Sequence, residues 1–239
     1  MTFYQTSEPK SFRVVGTGEL SQLSEHFDAK KLFFEGYSST TRYCLSKYTN
    51  LVNVSFDDKL FNISDQLLSK TQVQYFNIPK NVVAINGNPF DEGSPMKRIT
   101  VDPENKFFMD VDGVVYSRDM TILYVYPGNH GESLFVVPNT VKIIEVGAFS
   151  LSTMLKYVII PKSVRYIKEY QFIRMDSIEF IEIQNSKNNI FLNEYKLLYQ
   201  TNKNASIIHY VPIMIPSCKN FLFSMSFHFI LYITLFIIS

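Results

Sequence analysis

The sequence contains no tryptophan, only two cysteines and almost no excess of either charge. Cys44 and Cys218 are too few for a disulfide framework or a cysteine-rich zinc site. The 23 basic residues are interspersed among 22 acidic ones, so the clustered basic surface that nucleic-acid binding requires is missing. None of the four histidines lies at ligand spacing from a Cys, Asp or Glu, so the sequence predicts no metal site.

Signatures of catalysis and of cofactor binding are missing as well. The sequence has no glycine-rich phosphate loop and no nucleophile elbow. The stretch Asp-Val-Asp-Gly at 110–113 resembles the start of a calcium loop, but the later acceptors and the closing glutamate are absent. These four residues are more typical of a turn that enters a hairpin. We therefore predict that the protein is not an enzyme and uses no cofactor.

Hydrophobic and aromatic residues, in contrast, are plentiful. They make up 46% and 15% of the 239 residues, which is enough to build a packed core in one large domain or two small ones. The N-terminal stretch lacks a basic head followed by a continuous apolar run, so it is not expected to act as a signal peptide.

The sequence repeats itself at a fixed interval. The stretch FVVPNTVKIIEVGAF at 135–149 returns as VIIPKSVRYIKEYQF at 158–172. After an anchoring proline, Val, Ile and Phe follow at offsets +3, +6 and +11 in three copies: Pro79, Val82, Ile85, Phe90; Pro138, Val141, Ile144, Phe149; and Pro161, Val164, Ile167, Phe172. Three copies of a four-position pattern indicate a repeat architecture.

The pattern continues beyond each phenylalanine into an apolar-x-x-apolar-x-apolar run. These runs are Met96, Ile99, Val101; Leu155, Val158, Ile160; and Ile178, Ile181, Ile183. A copy without the proline begins at Leu51, and the pattern is not recognisable before about Phe27. The alternating part of each run predicts a strand, which the proline ends, and the phenylalanine is expected to fill the interior. Because a unit this short cannot bury its apolar side chains alone, the pattern predicts a stack of units, or solenoid.

One spacing is longer because a segment is inserted. Its apolar runs GVVY and TILYVYP flank the polar turn SRDM, which predicts a β-hairpin at 105–127. A weaker copy follows at 188–212. We therefore expect an N-terminal segment or cap at 1–26, a β-rich solenoid of the leucine-rich-repeat type with two inserted hairpins at 27–216, and a hydrophobic tail at 221–239.

These motifs resemble the BspA-like leucine-rich repeats. The resemblance lies in IPKSVRYIKEYQF, in VPNTVKIIEVGAFSLSTMLKYVIIP and in the hairpin DGVVYSRDMTILYVYP, and it extends over about 51–212. The sequence departs from the family pattern because no cysteine follows Ala-Phe, and the alanine is present only at Ala148. The resemblance implies a surface antigen or adhesion protein that binds extracellular matrix or other cells.

Strand alternation predicts which residues point out of the solenoid. Two columns of outward-facing residues are expected on the concave face, and solenoids use such columns to bind partners. The first column contains Tyr75, Arg98, Leu134, Tyr157 and Phe180, and the second contains Asn77, Thr100, Val136, Ile159 and Glu182. Alternatively, an inserted hairpin packs over these residues and keeps them from solvent.

The geometry of a stack also predicts that the two cysteines stay apart. Seven units at a strand spacing of ~4.8 Å place Cys44 and Cys218 roughly 30 Å apart, which excludes an intramolecular disulfide. Asn53, Asn62 and Asn204 each begin an N-x-S/T sequence, which we attribute to chance rather than to glycosylation.

The apolar segment 221–239 has no formally charged residue if His228 is neutral. As a helix it would span about 28 Å, which favours a transmembrane helix. Final β-strands and a degraded repeat, in which Phe227 keeps the +11 offset from Pro216, are the alternatives.

The sequence therefore predicts a non-enzymatic binding protein on the cell surface or associated with a membrane, whose partner is a protein, cell-surface or matrix ligand. The alternative is an intracellular scaffold for protein–protein interaction that is anchored by its tail, with the repeats in the cytosol. The oligomeric state is not defined by the sequence.

Overall fold

The computed structural model describes residues 1–90, 94–168 and 175–184, together with the backbone of the strand at 206–209. No helix occurs in these ranges. The strands are β1 (Thr2–Gln5), β2 (Ser11–Leu20), β3 (Lys31–Thr40), β4 (Asn53–Phe56), β5 (Asn62–Ile63), β6 (Tyr75–Ile78), β7 (Ala84–Ile85), β8 (Arg98–Val101), β9 (Phe108–Val111), β10 (Val114–Ser117), β11 (Ile122–Val125), β12 (Leu134–Val136), β13 (Ile143–Ile144), β14 (Tyr157–Ile160), β15 (Tyr166–Ile167), β16 (Phe180–Ile183) and β17 (Ser206–His209).

The repeat units stack in parallel, as the sequence period predicts. Phe76 pairs with Ile99, and Val158 pairs with Ile181, so each repeat of the sequence pattern adds one strand to the stack. The predicted β-solenoid of the leucine-rich-repeat type is therefore confirmed. Because equivalent residues face one another across each pair, the repeated apolar side chains form continuous rows inside the stack.

The repeat positions supply the hydrophobic core. Val82, Val141 and Val164 are completely buried, and Phe149 is completely buried at the end of its pattern. The prolines lie immediately before the turns that lead away from the strands, where a missing amide donor disrupts no ladder. Phe172, the third phenylalanine of the pattern, lies outside the described residues.

Each unit also contains a second, very short strand that the sequence did not reveal. It comprises two residues around the repeated isoleucine, as in β13 and β15, and these short strands pair in parallel from unit to unit. The solenoid thus has two strand faces. We call the one built from β4, β6, β8, β12, β14, β16 and β17 the long-strand face.

The inserted segment forms an antiparallel layer of three strands, β9, β10 and β11. Asp112 and Gly113 connect β9 to β10 with φ angles of 56° and 86°, the left-handed conformation that two-residue hairpin turns require. Val115 belongs to a first core, which extends toward the N-terminus, whereas Val114 and Tyr116 belong to a second core that extends toward the C-terminus. The layer therefore lies across the stack and separates its interior into two clusters.

The same layer interrupts the long-strand face. The amide of Ile99 donates to the carbonyl of Gly113 at 3.2 Å, and the amide of Val101 donates to the Asp110 carboxylate at 2.8 Å. These two bonds occupy the outer edge of β8, so the parallel ladder does not continue from β8. A separate sheet begins at β12 and runs in the order β12-β14-β16-β17.

The stack begins before the recognisable repeats. β2 pairs in parallel with β3, and β1 adds an antiparallel strand at the outer edge of β2. Phe12 and Val14 of β2 are buried in the first core. These long strands contain irregular register shifts and no repeat proline, which explains why the repeat pattern is not visible there.

Two predictions concern residues that the structure does not describe. Cys44 is buried and free, and burial raises the pKa of its thiol to about 12, but Cys218 lies outside the described ranges. The same is true of the hydrophobic segment 221–239 and of most of the second predicted hairpin. Within the described ranges, no helix is long and apolar enough to cross a membrane.

Candidate partner-binding face

The two predicted columns lie on the long-strand face, in two groups. β6 and β8 place Tyr75 beside Arg98 and Asn77 beside Thr100. β12, β14 and β16 align the other six residues in two rows, which are Leu134, Tyr157, Phe180 and Val136, Ile159, Glu182. The structure thus brings four of the ten residues together on one side of the antiparallel layer and six on the other side.

The C-terminal group is mostly apolar. We call Leu134, Val136, Tyr157, Ile159 and Phe180 the C-terminal patch. Leu134 and Val136 are 45% and 54% exposed, and the rings of Tyr157 and Phe180 are stacked at a centroid distance of 5.6 Å. The core does not require apolar residues at these outward positions, since the equivalent positions in β6 and β8 are mainly polar. A contiguous exposed apolar patch is typical of an interaction site.

An ion pair borders this patch. Lys156 lies 3.0 Å from the Glu179 carboxylate, to which the Tyr157 hydroxyl donates a hydrogen bond of 2.9 Å. The pKa of Glu179 is lowered mainly by the hydrogen bond from Lys156 and, to a smaller extent, by the one from Tyr157. The hydrogen bond that Tyr157 donates to Glu179 raises the pKa of Tyr157. These contacts, together with the stacking on Phe180, fix the orientation of the tyrosine ring.

The N-terminal group is polar apart from Tyr75, which is 63% exposed. Thr100 donates a hydrogen bond to the side-chain oxygen of Asn77 at 3.0 Å, and the Arg98 guanidinium lies 3.6 Å from the Asp112 carboxylate. The face therefore changes from polar to apolar where the antiparallel layer crosses it.

The first inserted hairpin does not cover the predicted columns. Its Asp112-Gly113 turn lies beside the edge of β8, so close that a Cβ atom at Gly113 would be 2.5 Å from Arg98 Cγ. The high exposure of Tyr75, Leu134 and Val136 shows that these side chains remain accessible beside it. Most of the second predicted hairpin, at 188–212, lies outside the described residues.

The acidic residues at 110–113 contact strand β8. Asp110 accepts the Val101 amide, and Asp112 pairs with Arg98. In the described part of the chain, no group of three or more His, Cys, Asp or Glu residues is arranged to hold a metal ion.

Charged pairs that link neighbouring units were not predicted from the sequence. Lys31 contacts Glu8, Lys156 contacts Glu179 and Lys168 contacts Glu145, and the partners of each pair lie one repeat period apart in the sequence. Aligning the charges at the repeat period would have revealed them, because equivalent positions of adjacent units lie one strand apart.

A parallel β-solenoid with leucine-rich-repeat spacing is thus the class of protein that this fold defines. Six copies of the BspA type leucine-rich repeat region match residues 25–108 and 129–226, and the chain belongs to that family.

Two solved structures share this fold. The pneumococcal vaccine antigen PcpA superimposes with a TM-score of 0.54 at 20% identity, over 65% of this chain and 42% of that one. A leucine-rich cell surface protein from Faecalibacterium prausnitzii superimposes with a TM-score of 0.58 at 25% identity, over 68% of this chain and 42% of that one. The chain therefore spans less than half the length of these two relatives. No curated protein matches it.

Proposed function

We propose that the protein is a non-enzymatic binding solenoid that recognises a protein on another cell or in the extracellular matrix through its long-strand face. The observation that carries this proposal is the C-terminal patch, in which apolar side chains lie in register on adjacent strands and Leu134, Val136 and Tyr157 are exposed. Membership of the BspA-type family, together with the surface protein among its structural relatives, supports an adhesive role.

The chemistry of the patch suits a protein ligand. Aromatic side chains bury a large area at a small cost in conformational entropy, and such residues dominate the energetics of many interfaces. Tyr157 lies on the middle strand of the patch and stacks on Phe180 of the next strand, and the Lys156–Glu179 pair lies at the border of the patch. An apolar centre with a charged border is the usual anatomy of a protein interface.

Substitution of the two aromatic residues of the patch tests the binding site. We expect Tyr157→Ser and Phe180→Ser each to weaken binding of the purified protein to immobilised matrix proteins and to cultured epithelial cells by about tenfold or more, as truncation of an interface hot spot does. Tyr166→Ser is the matched control, because Tyr166 is 49% exposed but lies on the short strand β15. Unchanged binding by folded Tyr157→Ser and Phe180→Ser variants would show that the ligand binds elsewhere.

The proposed location is the cell surface. Brief protease treatment of intact cells that produce the protein should remove the repeat region, as followed with antibodies to the 51–168 range. Complete protection in intact cells, with digestion only after lysis, would instead indicate the intracellular scaffold.

A further inference from the structure

We propose that the free edge of β12 binds an extended peptide segment of a partner protein, which adds to the sheet as a further strand. The free edge is the edge of β12 that faces away from β14. The inference deepens the proposed function and rests on it for its biological role, because the added strand would lie directly beside the C-terminal patch. Three observations support it: backbone groups without a described partner, an edge without protective residues, and exposed apolar side chains.

The hydrogen bonds of β12 leave two of its residues facing the free edge. The amide of Tyr157 donates to the carbonyl of Ser133 at 2.9 Å, and the amide of Val137 donates across the same pair of strands at 3.0 Å. Because successive residues of a strand direct their backbone groups to opposite edges, Leu134 and Val136 present theirs to the free edge. Among the described strands, β12 pairs with β14 alone. Two donors and two acceptors are therefore available to a further strand.

The inserted layer satisfies β8 but not β12. The carbonyl of Gly113 and the carboxylate of Asp110 accept the amides at the outer edge of β8, where the first sheet of the long-strand face ends. The edge of β12 also lacks the charged residues and prolines that commonly protect an edge strand, since residues 134–136 are Leu, Phe and Val. This edge is thus competent to pair with another polypeptide chain.

The side chains along this edge favour an apolar strand as the addition. Leu134 and Val136 are exposed, and Phe135, which points inward, is only partly buried. The equivalent inward residues of the next two strands, Val158 and Ile181, are buried. An added strand would cover Phe135 with one set of alternate side chains and extend the rows of the C-terminal patch with the other. An extended peptide with apolar residues at alternate positions fits both requirements, as in recognition by strand addition.

Amide hydrogen exchange in the full-length chain tests the free edge directly. The amides of Leu134 and Val136 should exchange at least tenfold faster than those of Phe135 and Val137, because only the latter two donate within the sheet. Comparable protection of all four amides would mean that the edge is already paired, and the proposal would be wrong.

A synthetic peptide tests strand addition. Its sequence is that of residues 96–102, MKRITVD, because the preceding long strand would occupy this edge in an uninterrupted solenoid. We expect saturating peptide to slow exchange of the Leu134 and Val136 amides by at least tenfold. Since every second amide of a strand donates to a given neighbour, N-methylation of one alternate set of peptide amides should weaken binding about tenfold and that of the other set less than twofold. No binding, or equal effects of the two sets, would overturn the proposal.

A substitution in the protein provides a second test. Val136→Pro removes one amide donor from the free edge without touching the ladder to β14, and Val136→Ala is the matched control that keeps the amide. In variants whose fold is verified by urea unfolding, Val136→Pro should weaken peptide binding about fivefold more than Val136→Ala does. Equal binding by the two variants would contradict strand addition. A dimer that Val136→Pro dissociates would assign the edge to a second copy and would also refute the proposal.

These measurements use neither cells nor matrix proteins, so their outcome is independent of the test of the proposed function. If Tyr157→Ser and Phe180→Ser abolish binding to cells while the peptide does not bind, the patch is the binding site and strand addition is refuted. If the peptide binds as expected while both variants bind cells normally, strand addition stands and the proposed role of the patch is wrong.

Discussion

Phe149 illustrates how single residues maintain the stack. It is completely buried, and its ring lies 5.7 Å from that of Tyr126 and 5.8 Å from that of Phe135. One residue of the repeat thus packs against the inserted layer on one side and against a long strand on another. The phenylalanine of the pattern therefore joins the unit that contains it to its neighbours.

Truncating this ring should be costly. We expect Phe149→Ala to lower the free energy of unfolding by roughly 3–5 kcal/mol, as large core truncations do. Phe107→Ala should cost less than about 1 kcal/mol, because surface substitutions have small effects and Phe107 is 51% exposed. Urea unfolding of both variants measures the difference. Small and equal effects would contradict the assignment of Phe149 to the core.

Several buried residues at this scale could not be predicted from the pattern. Asn105 is buried because its side chain donates to the carbonyls of Pro79 and Val82 and accepts the amides of Phe107 and Phe108. Nothing in the sequence distinguishes this asparagine from an exposed one, since its role depends on backbone groups of the preceding unit.

At the scale of elements, the hairpin turn at 112–113 is constrained both by its backbone conformation and by its contact with β8. Gly113 has a positive φ, and its Cα faces Arg98 closely enough that a Cβ atom would lie 3.2 Å from the Arg98 Cα. The turn must therefore keep glycine both for its conformation and for its approach to β8. Only this close approach allows the Gly113 carbonyl to accept the Ile99 amide.

Substituting two glycines separates the cost of backbone strain from the cost of the close approach to β8. Gly131→Ala introduces a side chain at φ 104° into open space, so it should cost only the backbone strain, about 1–2 kcal/mol. Gly113→Ala adds a clash with Arg98 and should cost about 1–3 kcal/mol more. Thermal and urea unfolding provide the comparison. Equal destabilisation by the two substitutions would show that the turn does not press against β8.

The elements differ in how clearly the sequence specifies them. The long strands were predictable because inward residues alternate with outward ones, as in Val158 and Ile160. The short strands were not, since two residues show no period. The role of β10 was not predictable for another reason. Val114, Val115 and Tyr116 are all buried because the strand faces a core on both sides, so its sequence shows no alternation of apolar and polar residues. For the candidate face, the alternation identified the columns, but their division into two groups depends on where the inserted layer crosses the stack.

For the whole molecule, the division of the interior into two cores has a consequence for stability. Solenoid units contact only their neighbours, so a local change spreads through the interfaces between units. The antiparallel layer lies between the two cores and is anchored to both through side chains on its opposite faces. A defect in one core should therefore loosen that side of the layer before it affects the other.

Leu51 and Leu155 provide a matched test of this division. Both begin the same apolar run of the repeat and both are completely buried, but Leu51 belongs to the first core and Leu155 to the second. Each change to Ala should cost about 2–5 kcal/mol locally. About 2 kcal/mol corresponds to a factor of about 30 in an equilibrium constant. Amide hydrogen exchange should therefore accelerate by at least that factor near each substitution. The acceleration is expected in β4 and β6 for Leu51→Ala, and in β12 and β14 for Leu155→Ala. Exchange in the opposite core should change much less. If either variant accelerated exchange equally on both sides of β10, the layer would transmit the defect, and the solenoid would unfold as one cooperative unit.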